Sequence, residues 1–327
     1  MRLFQFIDAF GKRGVGVIET SEPRRLLEID TTRDLALEAH RRGHTIADLV
    51  GKLGLGEVID YDLLVRDKRL LVPLDHPDPA HCVLAITGLT HLGSAQSRDA
   101  MHAKLNAVEL SDSMKMFKLG VEGGKPAAGE IGAQPEWAYK GDGDWIVQPQ
   151  QPVSIPSYAE DMGEEAEIVG LYVIADNGDV LRVGYAQANE FSDHVMERKN
   201  YLYLAHSKLR QCSFGPEILL GDLPMTIEGR VSVHRDDKEI WATTFLSGEN
   251  EMCHSIHNLE HHHFKYRHFR RPGDVHVYFF GAGVLSFGEC ELQVGDVVEV
   301  SAPGFGEPLR NRLVADRSQD IVQIRQL

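Results

Sequence analysis

Two glutamates one residue apart, Glu165 and Glu167, open a run that otherwise reads as a buried strand, Gly163-Glu-Glu-Ala-Glu-Ile-Val-Gly-Leu-Tyr-Val-Ile174. Side chains alternate faces along a strand, so both acids project on the side shared by Val169, Leu171 and Val173. Carboxylates are mostly exposed, and a solvated strand entrance accounts for such a pair. If the two converge indoors instead, their repulsion requires a cation or a shared proton. A hard dication such as Mg2+ suits paired carboxylate oxygens and leaves positions open for substrate and water. A third acid stands downstream in Gly184-Tyr-Ala-Gln-Ala-Asn-Glu190-Phe-Ser-Asp-His194.

Histidine is the second concentration of chemistry: 16 in the chain, seven of them between His254 and His276. If 254–264 is helical, His254, His257 and His261 share a face with Asn258, and three imidazoles so spaced could bind zinc or copper. Alternatively the segment packs beside the active site or a dimer contact, its rings hydrogen-bonded or exposed. The acids already account for a metal, and no Cys-x-x-Cys pair joins the cluster, which favours packing.

The elements that must hold these residues fall into two parts. Residues 1 to about 75 read as a compact α+β segment, with apolar runs at 3–7, 15–18 and 70–72 and helices at 31–42 and 46–53, the second ending at Gly54. The proline-bearing Asp75-His-Pro-Asp-Pro-Ala80 marks a boundary, giving a small N-terminal α+β domain at 1–78 and a β-rich domain at 79–327. In the latter, 168–175 and 180–185 flank Asp176-Asn-Gly-Asp179, a hairpin signal, and strands follow at 229–234, 239–245, 275–280 and 297–301. No GxGxxG follows a strand and no GxxxxGK[ST] occurs, so neither a dinucleotide fold nor a P-loop is supported. With 34 Lys+Arg against 49 Asp+Glu the chain carries −15, which argues against a nucleic-acid partner. No apolar window reaches ~18 residues and no secretory signal is read, so the chain is expected to be soluble and without a membrane partner. Cys82, Cys212, Cys253 and Cys290 are scattered and read as reduced thiols of a cytoplasmic protein.

Taken in order, these motifs resemble the fumarylacetoacetate hydrolase superfamily over about residues 80–313. The stations are the Glu-x-Glu strand, Gly-Tyr-x-x-x-Asn-acid-x-Ser, Ala205-His-Ser-Lys208 with Gly215-Pro216, Pro272-Gly-Asp-Val275, and Val294-Gly-Asp-Val-Val-Glu-Val300 with Leu309-Arg-Asn311. Gly88-Leu-Thr-His91 and Pro135-Glu-Trp-Ala-Tyr-Lys140 fit the family's entrance loop and its Pro-aromatic-Lys segment, and the phrases at 194–203 and 258–264 look like its GguC-like, sugar-acid branch. The resemblance implies a mixed β-sandwich roll, a homodimer, and one Mg2+ or Mn2+ held by Glu165, Glu167 and Glu190, the last standing where the family commonly has Asp. It also implies that His206 replaces the lysine of Ala-Lys-Ser, that His194 and Glu197 replace Arg and Gln, and that Tyr278-Phe-Phe-Gly281 replaces Thr-Gly-Thr-Pro, which brings Phe280 to the substrate. His91 is either a catalytic acid or water activator, or a loop histidine. Ser94 and Ser97 fall at the family's lid stations. Lys140 is expected to hold the substrate carboxylate, with His194 and Lys208 also lining the site.

The superfamily's shared chemistry starts from a 2-oxo acid whose C3 proton is removed to give an enolate; expulsion of a C4 hydroxyl, attack of water on a C4 carbonyl, or decarboxylation then follows. Exchange of a fixed cation for His206, a proton carrier near neutrality, weights the outcome towards dehydration. The leading expectation is a hydro-lyase turning a 2-keto-3-deoxypentonate (L-arabonate or D-xylonate type) into 2-oxoglutarate semialdehyde. The alternatives are a C–C hydrolase of a 2,4-diketo acid that releases pyruvate, and a non-catalytic sugar-acid binding protein.

Overall fold

The computed structural model describes residues 1–93, 111–316, 318 and 321–327. Helix α1 (Thr32–Arg41) begins where the Thr31 side chain accepts the Asp34 N–H, and its buried Leu35, Ala36 and Ala39 form the inward face. Helix α2 (Ile46–Leu53) opens on a Thr45–Asp48 capping box and stops at Gly54, φ 84°. Beside them lie β1 (Arg2–Ile7), β2 (Arg13–Ile18), β3 (Pro23–Leu26), β4 (Leu55–Val58), helix α3 (Tyr61–Arg66) and β5 (Leu70–Leu71).

The longer part supplies β6 (Cys82–Gly88), β7 (Glu136–Asp142), β8 (Val153–Ile155), β9 (Ala166–Ile174), β10 (Val180–Asn189), β11 (Ser213–Phe214), β12 (Glu217–Leu219), β13 (Ile227–Arg235), β14 (Lys238–Ser247), β15 (Val275–Phe279), β16 (Val297–Ser301) and β17 (Leu309–Ala315). Its helices are α4 (Asp112–Gly123), α5 (His194–Lys199), α6 (Leu204–Ser207) and α7 (Ile256–Phe264). Among the described residues the strands form two mixed sheets. One runs β4-β3-β2-β1-β12-β10-β9-β15-β6-β7, with β11 on β10 and β5 on β1; the other runs β14-β13-β16-β17-β8. The β15–β6 and β17–β8 pairs are parallel. This is the β-rich α+β architecture of two mixed sheets that the motifs imply. Strand β1 pairs with β12, Leu3 opposite Ile218, so one sheet passes through both sides of residue 78.

The central strand β9 is buried along its whole length because both of its faces are covered. On one, Ile168, Tyr172 and Ile174 pack with Val231, Phe245 and Val300 of the second sheet; on the other, Val169, Leu171 and Val173 join Ala36, Leu37, Ile218 and Val277. The β9–β10 hairpin closes through Ala175 N–H to Asp179 O (2.9 Å), with the turn where Asn177-Gly178 signals it. Its register sets Glu167 opposite Ala188 and Ala166 opposite Asn189, and Glu190 N–H donates to Glu165 O (3.0 Å) one step beyond. Cross-strand partners share a face, so the hairpin's open end projects Glu165, Glu167 and Glu190 to the same side, with the small Ala188 between them. Among the described residues no helix is long and apolar enough to cross a membrane.

Candidate metal centre

Glu165, Glu167 and Glu190 are all buried, and one oxygen from each lies within 4.8 Å of the others. Three acids so close require positive charge, and two ammonium groups reach them. Lys208 Nζ contacts Glu165 Oε1, Glu190 Oε2 (2.9 Å) and Ser192 Oγ (3.0 Å). Lys140 Nζ lies 2.7 Å from Glu190 Oε1 and donates to the carbonyls of Phe191 and Lys208 (2.9 Å each). These two carbonyls belong to the chain on either side of the cluster, so Lys140 braces the backbone behind Glu190 and behind Lys208. Phe191, at φ 33°, holds a left-handed conformation costly for an aromatic residue, and this turn brings its carbonyl to Lys140.

The charges divide unevenly. Burial works to raise Glu165, but Lys208 and His194 outweigh it and hold the carboxyl well below its ordinary range. Glu167 is pushed well above, by burial and by the charges of Glu190 and Glu165. Glu190 is raised by burial, against the pull of Lys140 and Lys208. Burial alone would lower Lys208, yet Glu165 and Glu190 keep it firmly an ammonium. Glu167 Oε2 accepts the Gly281 N–H (2.7 Å), while its buried Oε1 has no hydrogen-bond partner. Three ionised carboxylates against two ammonium groups would leave one negative charge over, which is what drives Glu167 towards its protonated form; a dication would displace that proton and leave one positive charge for a mono-anionic substrate to cancel. An orphaned buried carboxylate oxygen, all-oxygen donors and this charge balance fit Mg2+ or Mn2+.

Outside this cluster His194 Nε2 donates to Glu165 Oε1 (3.0 Å), and its other nitrogen lies 3.8 Å from Asp161 Oδ2. Its ring packs so tightly that a Cβ at Gly163 would collide with it. Burial opposes its charge, but Glu165 prevails and its pKa is raised. Helix α5 starts at Asp193, whose carboxylate caps Met196 N–H (2.8 Å) and pairs with the buried Arg210 (2.7 Å).

No family model matches the chain. Over 178 residues it is 26% identical to a Haloferax volcanii protein named a probable 2-keto-3-deoxyxylonate dehydratase, covering 53% of this chain and 58% of that one. The matched stretch is thus little more than half of that relative. A 2-keto-3-deoxy-D-arabinonate dehydratase complexed with magnesium and 2,5-dioxopentanoate superposes with TM-score 0.72 at 18% identity, over 97% of this chain and all of the other. A fumarylacetoacetate hydrolase from psychrophilic Exiguobacterium antarcticum does so with TM-score 0.60 at 17% identity, over the same 97% and all of its own length.

The chain has the fumarylacetoacetate hydrolase fold. Within that fold several sequence expectations need correction. His206 does not take the lysine's place: it is exposed on α6, its carbonyl serving Leu209 N–H, and Lys208 two residues later carries the ammonium into the cluster. Lys140 faces Glu190 and two carbonyls, contacts that brace the backbone of the site. Phe280 is core, packed against Tyr185 and Tyr278; what this segment lends the site is the next N–H, that of Gly281. His194 touches Glu165 and orients it. His91 is buried, with Thr90 Oγ1 at 3.0 Å and Ser247 Oγ at 2.9 Å, and burial pushes it down to about 4. The lid stations Ser94 and Ser97 lie outside the described residues.

The histidine-rich segment is packing. His257 is exposed and His254 buried, and among the described residues the three carboxylates are the one group that could hold a metal. His263 Nε2 meets His276 Nδ1 (3.0 Å) and Trp137 donates to His263 Nδ1 (3.2 Å), while His262 reaches Gly132 O (3.0 Å). Glu164 was missed by sequence reasoning. It is fully buried, accepts the Ser286 N–H (2.7 Å) and hydroxyl, and burial pushes it up to about 7. The third acid of residues 163–167 was its only signal.

Proposed function

We propose that this chain is a divalent-metal-dependent hydro-lyase that dehydrates a 2-keto-3-deoxypentonate to 2-oxoglutarate semialdehyde, that is, 2,5-dioxopentanoate. The observation that carries the reading is the buried Glu165–Glu167–Glu190 cluster with the Lys208 ammonium inside it. A hard dication on those carboxylates would supply Lewis acidity towards the two oxygens of a 2-oxo acid. A dication on Glu165 and Glu190 would offset the charges that keep Lys208 an ammonium, so that Lys208 could take the C3 proton as an amine and return it to the departing C4 hydroxyl, which leaves as water, the resulting 5-hydroxy-2-oxo-3-enoate tautomerising to the 2,5-dioxo acid. His194 fixes Glu165, Lys140 fixes Glu190 and the Lys208 backbone, and Gly281 N–H fixes Glu167. With the Lys208 ammonium in the cluster, the exposed His206 does not weight the outcome towards dehydration. Support for dehydration comes instead from the higher TM-score to a dehydratase, 0.72, than to a hydrolase, 0.60, and from the dehydratase name of the Haloferax relative.

Retention of a fixed ammonium favours a second reading, the C–C hydrolase of a 2,4-diketo acid that releases pyruvate. Incubating Mg2+-loaded protein with a 2-keto-3-deoxypentonate and with its 4-oxo counterpart separates the two: semialdehyde supports the hydro-lyase, pyruvate plus a hydroxy acid the hydrolase. Turnover of neither overturns both. Free cysteines and exposed Leu202 (82%) and Tyr203 (47%) support a cytoplasmic location and a homodimer, the latter checked by sedimentation.

A further inference from the structure

The loop after β15 is fastened to the acidic run at two points. Gly281, two residues past the strand, donates its N–H to Glu167 Oε2 (2.7 Å) at φ 98°, and a Cβ there would collide with Thr90 Oγ1. Five residues on, the buried Ser286 donates its N–H (2.7 Å) and its hydroxyl to the two oxygens of Glu164. The Ser286 carbonyl then accepts the N–H groups of Glu289 (2.8 Å) and Cys290 (2.9 Å), which closes the turn that follows. Between the anchors Val284 packs on the central core, and just beyond them Phe287 meets the His194 ring edge-on at 5.4 Å, with Arg198 over Phe287 at 5.4 Å. The ring of Phe287 therefore leans on the imidazole that orients Glu165.

We propose that Glu164 and Ser286 form a latch that seats the 281–288 loop against the carboxylate cluster, making Glu164 a positioning residue whose loss loosens the Gly281 contact to Glu167 and the Phe287 contact to His194. Both oxygens of Glu164 accept from Ser286, so it acts through the loop. Its catalytic consequence rests on the dehydratase reading, whereas the latch itself does not.

The experiment compares the full chain with Ser286→Ala, Ser286→Thr, Glu164→Ala and the double Ser286→Ala/Glu164→Ala variant. Hydrogen exchange of the peptide covering 281–290 is read without substrate. The latch predicts that Ser286→Ala raises exchange there about tenfold or more while leaving other strands unchanged, and that Ser286→Thr, which keeps the hydroxyl, restores protection. The double variant should exchange no faster than Glu164→Ala alone, because the two changes remove one interaction. Unchanged exchange in Ser286→Ala, or additive effects in the double variant, would overturn the latch. Where Mg2+-dependent dehydration is found, a positioning role predicts kcat about tenfold lower in Ser286→Ala with recovery in Ser286→Thr. Altered exchange with wild-type kcat would overturn the positioning role. Absence of dehydration in the wild type defeats the functional reading while the exchange data still judge the latch.

Discussion

Replacing Lys208 by methionine removes a buried charge and little volume. The ammonium contacts Glu165, Glu190 and Ser192, and it is the principal reason the Glu165 carboxyl is held low. Taking one partner from a buried ion pair costs about 3–5 kcal/mol. For a chain of this size roughly 2 °C accompanies each kcal/mol, so metal-free Lys208→Met should melt about 6–10 °C below the wild type. Mg2+ replaces the lost positive charge, so at one fixed Mg2+ concentration the variant should gain more than the wild type does; a site filled at 100 times Kd gains about 2.7 kcal/mol, and each tenfold tighter Kd adds about 1.4 kcal/mol. Differential scanning fluorimetry with EDTA and with Mg2+ measures all four melting temperatures. Dehydratase activity in the variant should fall by about 10²–10⁴ even with Mg2+ bound, because the proton carrier is gone. Equal Mg2+ shifts in both proteins, or a metal-free variant as stable as the wild type, would refute the claim that Lys208 and the dication neutralise the same carboxylates.

Glu167→Gln keeps the shape of the side chain but removes the charge that a dication needs, so calorimetric Mg2+ affinity should fall at least tenfold; unaltered binding would remove Glu167 from the ligand set. His206→Asn should leave kcat and KM as they are, since the side chain is exposed on α6; a large loss of turnover would return it to the site. Phe280→Ala should cost about 3–5 kcal/mol in stability with little change in KM measured well below its melting temperature, and the reverse pattern would place Phe280 at the substrate. His276 is pushed down to about 4 by burial from an ordinary 6.5. Because the folded pKa of this base is depressed, its share of stability is complete above 6.5 and is lost as pH falls towards 4. Between those limits His276→Gln should shed roughly 3 kcal/mol less than the wild type, and parallel stability–pH curves would contradict the assignment.

What could be read from the sequence follows from how local each signal is. The caps at Thr31 and Thr45, the stop at Gly54 and the Asn177-Gly178 turn act over a few residues, and the elements stand where those residues put them. The metal-site acids were legible because a strand has period two and a hairpin opposes fixed partners, so spacing alone carries Glu165 and Glu167 to one face. Lys208 reads as lining the site but not as the ammonium among the acids, because α6 is one turn long and nothing in Ala205-His-Ser-Lys208 tells which of two polar side chains enters the core. Phe280 could not be told from a pocket residue, because an aromatic before a glycine reads alike in core and cleft. Glu164 and Ser286 are 122 residues apart, and only the return of β15 alongside β9 brings them together.

The central claim is that the carboxylate cluster binds a dication and that the chain then dehydrates a 2-keto-3-deoxypentonate by removing its C3 proton. Running that reaction in deuterium oxide and following it by NMR tests both parts at once. The account predicts 2,5-dioxopentanoate carrying solvent deuterium at C3, formed with Mg2+, stopped by EDTA and stopped by Glu167→Gln. Undiminished product formation after metal removal, or neither product nor C3 exchange with Mg2+ present, would contradict it.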